Sequence, residues 1–168
     1  MNIFFLDTCP QRAARCQVKK SAIKMILESA QLLSAAVRLH GYDGDDVYKI
    51  SHKNHPSSIW CRANQANFLW LAEHGLELCD MYTRESGKIH KSQAIIERCI
   101  DLIDLLPNDS DEPTIYKAMA AIKSSDVGLA AFNRLPERPS FDQIVDAYRP
   151  FYFSKQYVQE HFQKLAID

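Results

Sequence analysis

The sequence predicts an all-α fold, a single compact domain of about five to seven helices over residues 1–168. Apolar residues recur at three- and four-residue steps in several long stretches, which is the spacing of one helix face. Gly and Pro residues separate these stretches, and the sequence shows neither regularly spaced strand-like runs nor internal repeats. The length of 168 residues is typical of one domain with one core.

The beginning of the chain predicts an extended segment, a long helix and a loop. Residues 2–6 form a short apolar run, which is typical of a strand or of a buried extended segment. Pro10 opens a helical pattern that continues to His40-Gly41, where the glycine permits a left-handed stop. The residues that follow, up to Pro56, are rich in Asp, Gly and Asn and predict a loop.

The later helices are predicted from the same signals, apolar spacing and a capping or terminating residue. Ser57 or Ser58 is the predicted cap of the next helix, which ends near Gly87. Its predicted core residues include Trp60, Phe68 and Trp70. Further helices are predicted over residues 92–106, from Pro113 to Ile122, over residues 125–132, from Ser140 (in a capping box with Gln143) to Tyr148, and from Ser154 to Leu165. Pro150 is expected to break the helical pattern.

The net charge and its distribution along the chain limit the classes of function that the protein can have. The formal net charge is −1 and the pI is about 6.6, which excludes a strongly basic nucleic-acid-binding protein but leaves room for a local basic face. Residues 1–40 contain six basic and two acidic side chains, whereas residues 97–126 contain three basic and seven acidic ones. The N-terminal quarter is therefore the part of the chain that we expect to face phosphate.

The cysteines and apolar runs predict a cytoplasmic protein without a membrane span. The five cysteines are odd in number and none are spaced as CxxC, so we interpret them as reduced thiols and expect no metal ion or cofactor. A zinc site of Cys9 and Cys16 with His52 or His55 is the alternative, although structural zinc ligands usually come in tighter pairs. The apolar runs are too short to cross a bilayer, and the N-terminal residues lack the basic residues of a secretory signal.

Two polar clusters in the first half of the chain suggest chemistry. Glu28 follows Lys24 by one helical turn. The two side chains form a solvated ion pair on the surface, or the Glu28 carboxylate faces a cleft beside a row of basic residues. Residues 52–56 hold two histidines, including His55, and a lysine. This segment is either a polar loop before a helix or a contact for phosphate.

Two further clusters lie towards the C-terminus. Residues 82–91 place Arg, Lys, His and Gly at a helix end, where basic residues are ordinary but could also contact phosphate. Residues 148–155 interleave four aromatic rings with Arg149 and Lys155. The rings of this second segment either pack into the core or stack on bases while the two cations hold phosphates.

The segments MNIFFLD, KMILESAQLLS, NHPSSIW and YRPFYFSK, in this order, resemble a family of small proteins encoded by tailed phages. The same order of features is similar to the pyrimidine-dimer DNA glycosylases of the endonuclease V type. The resemblance covers most of the chain and rests on motif order. The chain departs from the phage pattern at Lys19-Lys20-Ser21, where those proteins carry Asp-Lys-His.

The resemblance implies a single all-α domain that excises damaged bases through imine chemistry. In those glycosylases the N-terminal α-amine attacks the sugar C1′, a glutamate on the first helix supports the step, and β-elimination cleaves the strand. In this chain the resemblance implies that the glutamate is Glu28. The amine is that of Asn2 if Met1 is removed, or that of Met1 if it is retained. The bulk of the Asn2 side chain favours retention of Met1. The predicted DNA-contacting residues are Lys20, Lys24, His55, Arg84, Lys88, His90, Tyr148, Arg149, Tyr152 and Lys155.

Two other functions fit the same residues. The near-neutral charge and the altered triplet fit a non-catalytic phage accessory protein that binds a host protein or a nucleotide. An enzyme that acts on modified phage nucleotides would use the same residues as a glycosylase. The sequence therefore leaves open whether the chain is an enzyme, and its predicted partner is damaged or modified DNA or a host protein.

Overall fold

The computed structural model describes residues 2–114 and 126–166. Within those ranges the regular secondary structure consists of helices and no strand, which confirms the predicted all-α class. The α-helices are α1 (Pro10–Arg15), α2 (Lys19–Leu39), α3 (Pro56–Cys61), α4 (Gln65–Ser86), α5 (Gln93–Asp101), α6 (Asp126–Asn133), α7 (Phe141–Phe153) and α8 (Gln156–Leu165). A 3₁₀ turn, Ile103–Leu105, follows α5. Because α1 and α3 are only six residues long, the longer helices agree with the predicted number.

The N-terminal segment is extended and lies in the core. Ile3, Phe4, Phe5 and Leu6 are each at most 6 % exposed. The Phe5 ring contacts aromatic rings of α3, α4 and α7, and the Phe4 ring lies 4.9 Å from that of Tyr152. Each large apolar side chain buried in this way contributes about 1.5–3 kcal/mol. The start of the chain is therefore fixed between the helices, and α2 packs beside it against α4 and α5.

The long helix predicted from Pro10 is in fact two helices. The chain leaves helical geometry at Val18, where φ is −73° and ψ is 149°. The Val18 N–H donates to the hydroxyl of Tyr152 on α7, 2.8 Å away, instead of to a carbonyl one turn earlier. The predicted end of the second helix is confirmed, because Gly41 has a φ of +103° directly after the C-cap His40.

The helix predicted from Ser57 or Ser58 also divides into two. His55 caps α3 through its side chain, so the predicted serine cap is wrong and both serines are buried inside the helix. Asn64 then caps α4 by accepting from the Asn67 N–H at 2.9 Å. Gly87, with a φ of +67°, ends α4 as predicted. The predicted core residues Trp60, Phe68 and Trp70 are all buried.

In the C-terminal part, the structure confirms some predictions and corrects others. The capping box of Ser140 and Gln143 is present, and α6 lies where a short helix is predicted. Pro150 does not break α7, which continues to Phe153. The proline lacks the N–H that would donate to a carbonyl one turn earlier, and the burial of Phe151 and Tyr152 offsets this cost. Helix α8 begins after Lys155 rather than at Ser154. The helix predicted from Pro113 to Ile122 falls largely outside the described residues.

All five cysteines are free thiols, three of them buried. The longest described helices, α2 and α4, both carry charged residues along their length. None of the helices in the described ranges combines the length and the apolar surface that a bilayer span requires.

Candidate active site

A pocket of about 310 Å³ opens between α2, the N-terminal segment and the turn from α7 to α8. We call it the Glu28 pocket. Its lining residues are Asn2, Phe4, Lys20, Ser21, Lys24, Met25, Glu28, Lys155 and Tyr157. Five residues that the sequence analysis selects, from three separate parts of the chain, therefore meet in one cavity. The volume is at the lower end of the range for small-molecule sites.

Glu28 is a largely buried carboxylate that is held at both oxygens. Its Oε2 accepts a hydrogen bond from the main-chain N–H of Asn2 at 3.2 Å. Its Oε1 lies 3.2 Å from the Nζ of Lys24, one helical turn earlier. The Glu28 side chain is 11 % exposed and that of Lys24 is 69 % exposed, so only the lysine is solvated. The interpretation of this pair as a cleft-facing carboxylate beside a cation agrees with this geometry.

Asn2 links the carboxylate to the core. Its side-chain Oδ1 accepts a hydrogen bond from the hydroxyl of Tyr148 at 3.2 Å, and its main-chain N–H donates to Glu28. Tyr148 is fully buried, and burial raises the pKa of its hydroxyl, so the hydroxyl remains a donor at neutral pH. Helix α7 thus fixes the N-terminal segment, and this segment in turn orients Glu28.

Two of the lysines lie over aromatic rings. The Nζ of Lys155 is 4.2 Å from the centroid of Phe151 and 5.7 Å from that of Phe4. Burial lowers the pKa of Lys155, and the positive charge of Lys24 lowers it further. The Nζ of Lys20 is 5.7 Å from the centroid of Tyr157. Three ammonium groups and one carboxylate line the pocket, which therefore favours an anionic ligand.

The structure corrects the prediction that two tyrosines of the 148–155 segment stack on bases. Tyr148 and Tyr152 are both 0 % exposed, so neither ring offers a face to a ligand. The hydroxyl of Tyr152 accepts from the main chain at Val18 and bonds to Ser21 at 2.7 Å. These tyrosines hold the N-terminal segment and α2 in place instead.

Arg149 does not line the Glu28 pocket. Its Nε donates to the main-chain oxygen of Leu6 at 3.0 Å, and its guanidinium approaches Asp146 and Asp7 at 3.7 and 4.0 Å. The cation predicted to hold phosphate therefore anchors α7 to the N-terminal segment.

His55 lies outside the lining of the pocket but within its electrostatic range. Its Nδ1 accepts from the Ser57 N–H at 3.1 Å as the cap of α3. Burial lowers the pKa of His55, and the charge of Glu28 acts in the opposite direction. The histidine has a structural role that the sequence does not distinguish from a phosphate contact.

The remaining predicted DNA contacts lie at the C-terminal end of α4, away from the pocket lining. Arg84 pairs with Glu77 at 3.0 Å. His90 accepts from the Ser92 N–H through Nδ1 at 3.2 Å, and burial lowers its pKa. Lys88 is exposed directly after Gly87. The structure does not bring these three residues together with Glu28.

Sequence reasoning missed four lining residues, Phe4, Ser21, Met25 and Tyr157. Two of them, Ser21 and Met25, follow Lys20 and Lys24 by one residue on α2. The positions 20, 24 and 28 are spaced by one turn each, which places them in a row on one helix face. Extending that row by its neighbours would have found the α2 side of the pocket, whereas Tyr157 carries no such signal.

In residues 2–114 and 126–166, no three His, Cys, Asp or Glu side chains are grouped as metal ligands. Within these ranges, Cys9 and Cys16 are not grouped with His52 or His55.

The Glu28 pocket combines a buried carboxylate, three lysine ammonium groups and the aromatic residues Phe4 and Tyr157. The ammonium groups suit an anionic group of a ligand, and the two aromatic residues suit an apolar one. No family model, curated protein or solved structure matches the chain.

Proposed function

We propose that the protein is a base-excision enzyme of the glycosylase/AP-lyase type, which forms an imine with the sugar of a damaged nucleotide in the Glu28 pocket. One observation carries the proposal: the 3.2 Å contact between the Glu28 carboxylate and the main-chain nitrogen of Asn2. It joins a buried acid–base group to the N-terminal residues, which are the proposed source of the amine.

The amine belongs to Asn2 or to Met1, depending on whether Met1 is retained. If Met1 is removed, the attacking atom is the nitrogen of Asn2, which already contacts Glu28 Oε2. If Met1 is retained, the attacking atom is its α-amine, and Met1 is joined to Asn2 by a peptide bond. An α-amine has a pKa of about 7.7–8.0, so about a quarter to two fifths of it is neutral and nucleophilic at pH 7.5.

The chemical steps require one nucleophile and one acid–base group. The amine lone pair attacks C1′, the C1′–base bond breaks, and the electron pair leaves with the base. At a site that has already lost its base, the amine adds to the C1′ aldehyde and the adduct loses water. Glu28 takes the proton released from the amine and, on the route from an intact nucleotide, returns it to O4′ as the C1′–O4′ bond breaks and the C1′=N iminium forms. The Glu28 carboxylate stabilises this cation and then accepts a C2′ proton, a C2′=C3′ double bond forms, the C3′–O bond breaks, and the 3′ phosphate leaves with that electron pair.

The lysines account for the choice of DNA as substrate. Lys20, Lys24 and Lys155 surround the carboxylate and would neutralise the phosphates beside the reacting sugar. Phe4 and Tyr157 provide apolar walls for the sugar and base. A damaged or missing base is already poorly stacked, so extruding that nucleotide into a pocket costs less free energy.

The proposal is tested by borohydride trapping on three duplexes that carry an abasic site, a cyclobutane pyrimidine dimer or no lesion. We expect a covalent adduct and strand cleavage on one or both damaged duplexes and none on the undamaged duplex. Chemical acetylation of the N-terminus should abolish both signals, because an amide nitrogen does not form an imine. A folded protein that neither crosslinks to nor cleaves any of these duplexes would overturn the proposal.

The size of the pocket favours one second candidate, an enzyme that acts on free modified nucleotides. A cavity of about 310 Å³ holds little more than one nucleotide. Such an enzyme would bind a mononucleotide as tightly as an oligonucleotide, whereas a DNA enzyme gains affinity with length. Affinity measured against substrate length separates the two candidates.

A further inference from the structure

A second cavity, of about 410 Å³, lies along the seam between α2 and α8. We call it the α2–α8 cleft. It is lined by Val18, Lys19, Lys20, Ile23, Tyr157, Glu160, His161 and Lys164. Of these residues, only Lys20 is among the DNA contacts that the sequence predicts.

The cleft adjoins the Glu28 pocket. Lys20 and Tyr157 line both cavities, and the Lys20 Nζ is 5.7 Å from the centroid of the Tyr157 ring. This pair therefore forms the wall between them. A chain-like ligand that enters the Glu28 pocket with one unit would meet the cleft with the next unit.

The cleft is basic. Three lysines and His161 line it, against the single carboxylate of Glu160. Lys19 also pairs with Glu85 at 3.2 Å, but both side chains are about half exposed, so solvent weakens this pair. Tyr157, His161 and Lys164 follow one another at helical spacing on α8, which places their side chains on one face.

We propose that the α2–α8 cleft binds the phosphodiester backbone of the strand whose damaged nucleotide occupies the Glu28 pocket. The substrate is then a polynucleotide rather than a free nucleotide, and Tyr157, His161 and Lys164 belong to its binding surface. This inference rests on the proposed function, because it needs a nucleotide in the neighbouring pocket. The half-buried ring of Tyr157 stands where two successive nucleotides would meet, and Ile23, 37 % exposed, adds apolar surface.

The test measures affinity against length. Labelled deoxyoligonucleotides of one, two, four and eight units, each with a reduced abasic site, are titrated by fluorescence anisotropy at several salt concentrations. The variants are the double change His161→Gln with Lys164→Gln, and Lys49→Gln as the matched control. Lys49 is an exposed lysine that lines neither cavity.

We expect the wild-type affinity to rise from one to four units. The double variant should bind the tetramer about five- to tenfold more weakly and the monomer equally well. Its slope of log K against log salt should be smaller by about 0.7 for each phosphate that it no longer neutralises. The Lys49→Gln control should match the wild type at every length. His161 is half-buried and Lys164 exposed, so circular dichroism should show the double variant to be folded.

Equal wild-type affinity for one and four units, or an unchanged tetramer affinity in the folded double variant, would overturn the inference. Borohydride trapping on the abasic duplex reports the proposed function separately. If trapping occurs without length-dependent binding, the proposed role of the cleft is refuted and the imine chemistry is supported. If binding depends on length and the double variant weakens it, but no trapping occurs, the cleft is supported as a polynucleotide site and the imine chemistry is refuted.

Discussion

Replacing Glu28 by Gln separates the proposed chemistry from the fold. Glutamine has nearly the same shape and keeps an oxygen that can accept the Asn2 N–H, so the 3.2 Å contact survives. The Lys24 ammonium loses its partner, but its side chain is 69 % exposed and water replaces the contact. Surface ion pairs contribute about 0–1 kcal/mol. We therefore expect Glu28→Gln to lower the free energy of unfolding by about 1 kcal/mol or less.

The effect on activity should be much larger. Glutamine neither accepts the proton that the amine releases nor carries the negative charge that stabilises the iminium. General acid–base groups contribute about 10²–10⁴ in rate. We expect strand cleavage at an abasic site to slow by at least about a hundredfold, measured under single-turnover conditions, with borohydride trapping reduced in parallel.

Glu77 provides a matched control. Its side chain is 10 % exposed against 11 % for Glu28, and it pairs with Arg15 at 2.8 Å and Arg84 at 3.0 Å. Because Glu77 lies outside the Glu28 pocket, Glu77→Gln should cost at least as much stability and leave cleavage unchanged. Cleavage by Glu28→Gln within a few-fold of the wild type, or an equal loss in both variants, would refute the role of Glu28.

Three further predictions concern stability, each measured by urea denaturation. Tyr152→Phe leaves the buried Val18 N–H without its acceptor and should lower the free energy of unfolding by about 1–3 kcal/mol. Burial lowers the pKa of His74 from its ordinary 6.5 to about 3. The unfolded chain therefore takes up a proton on His74 below pH 6.5 that the folded protein does not bind. The stability that the neutral histidine contributes is complete above pH 6.5, and the free energy of unfolding falls by about 2 kcal/mol from pH 7 to pH 5. This loss should be absent in His74→Gln. Gly87→Ala should cost about 1 kcal/mol, because alanine is strained at a φ of +67°.

Each of these predictions has a contradicting result. An unchanged urea midpoint for Tyr152→Phe would mean that the Val18 N–H finds another acceptor. Identical pH profiles for the wild type and His74→Gln would mean that the folded protein protonates His74 as readily as the unfolded chain does. Full stability of Gly87→Ala would contradict the left-handed end of α4, and Gly87→Asn, which tolerates that conformation, serves as its control.

The parts of the fold that sequence reasoning predicts correctly depend on neighbouring residues. Gly41 and Gly87 end helices, and Ser140 with Gln143 caps one, through contacts that span at most a few residues. The break between α1 and α2 depends instead on a hydroxyl 134 positions away along the chain, on α7. No local pattern contains that information.

The same division applies to the candidate site. The row of Lys20, Lys24 and Glu28 follows from helical spacing on α2. The position of Lys155 beside it depends on how α7 packs against the N-terminal segment, and composition does not distinguish a ring that packs inward from one that stacks on a base. Sequence reasoning therefore leaves both arrangements of the 148–155 rings open and includes Tyr148 and Tyr152 among the DNA contacts, although their hydroxyls hold the core and the pocket together.

The most direct test of the central claim is to locate the trapped adduct by mass. The wild-type protein is reduced with borohydride on an abasic duplex, digested with nuclease and protease, and its peptides are analysed by mass spectrometry, with the intact mass settling whether Met1 is retained. We predict a sugar–phosphate remnant on the α-amine of the N-terminal peptide that contains Asn2, and its loss in Glu28→Gln. A remnant on Lys155 or another lysine would contradict the assignment of the amine, and a folded protein without any adduct would contradict imine chemistry in this pocket.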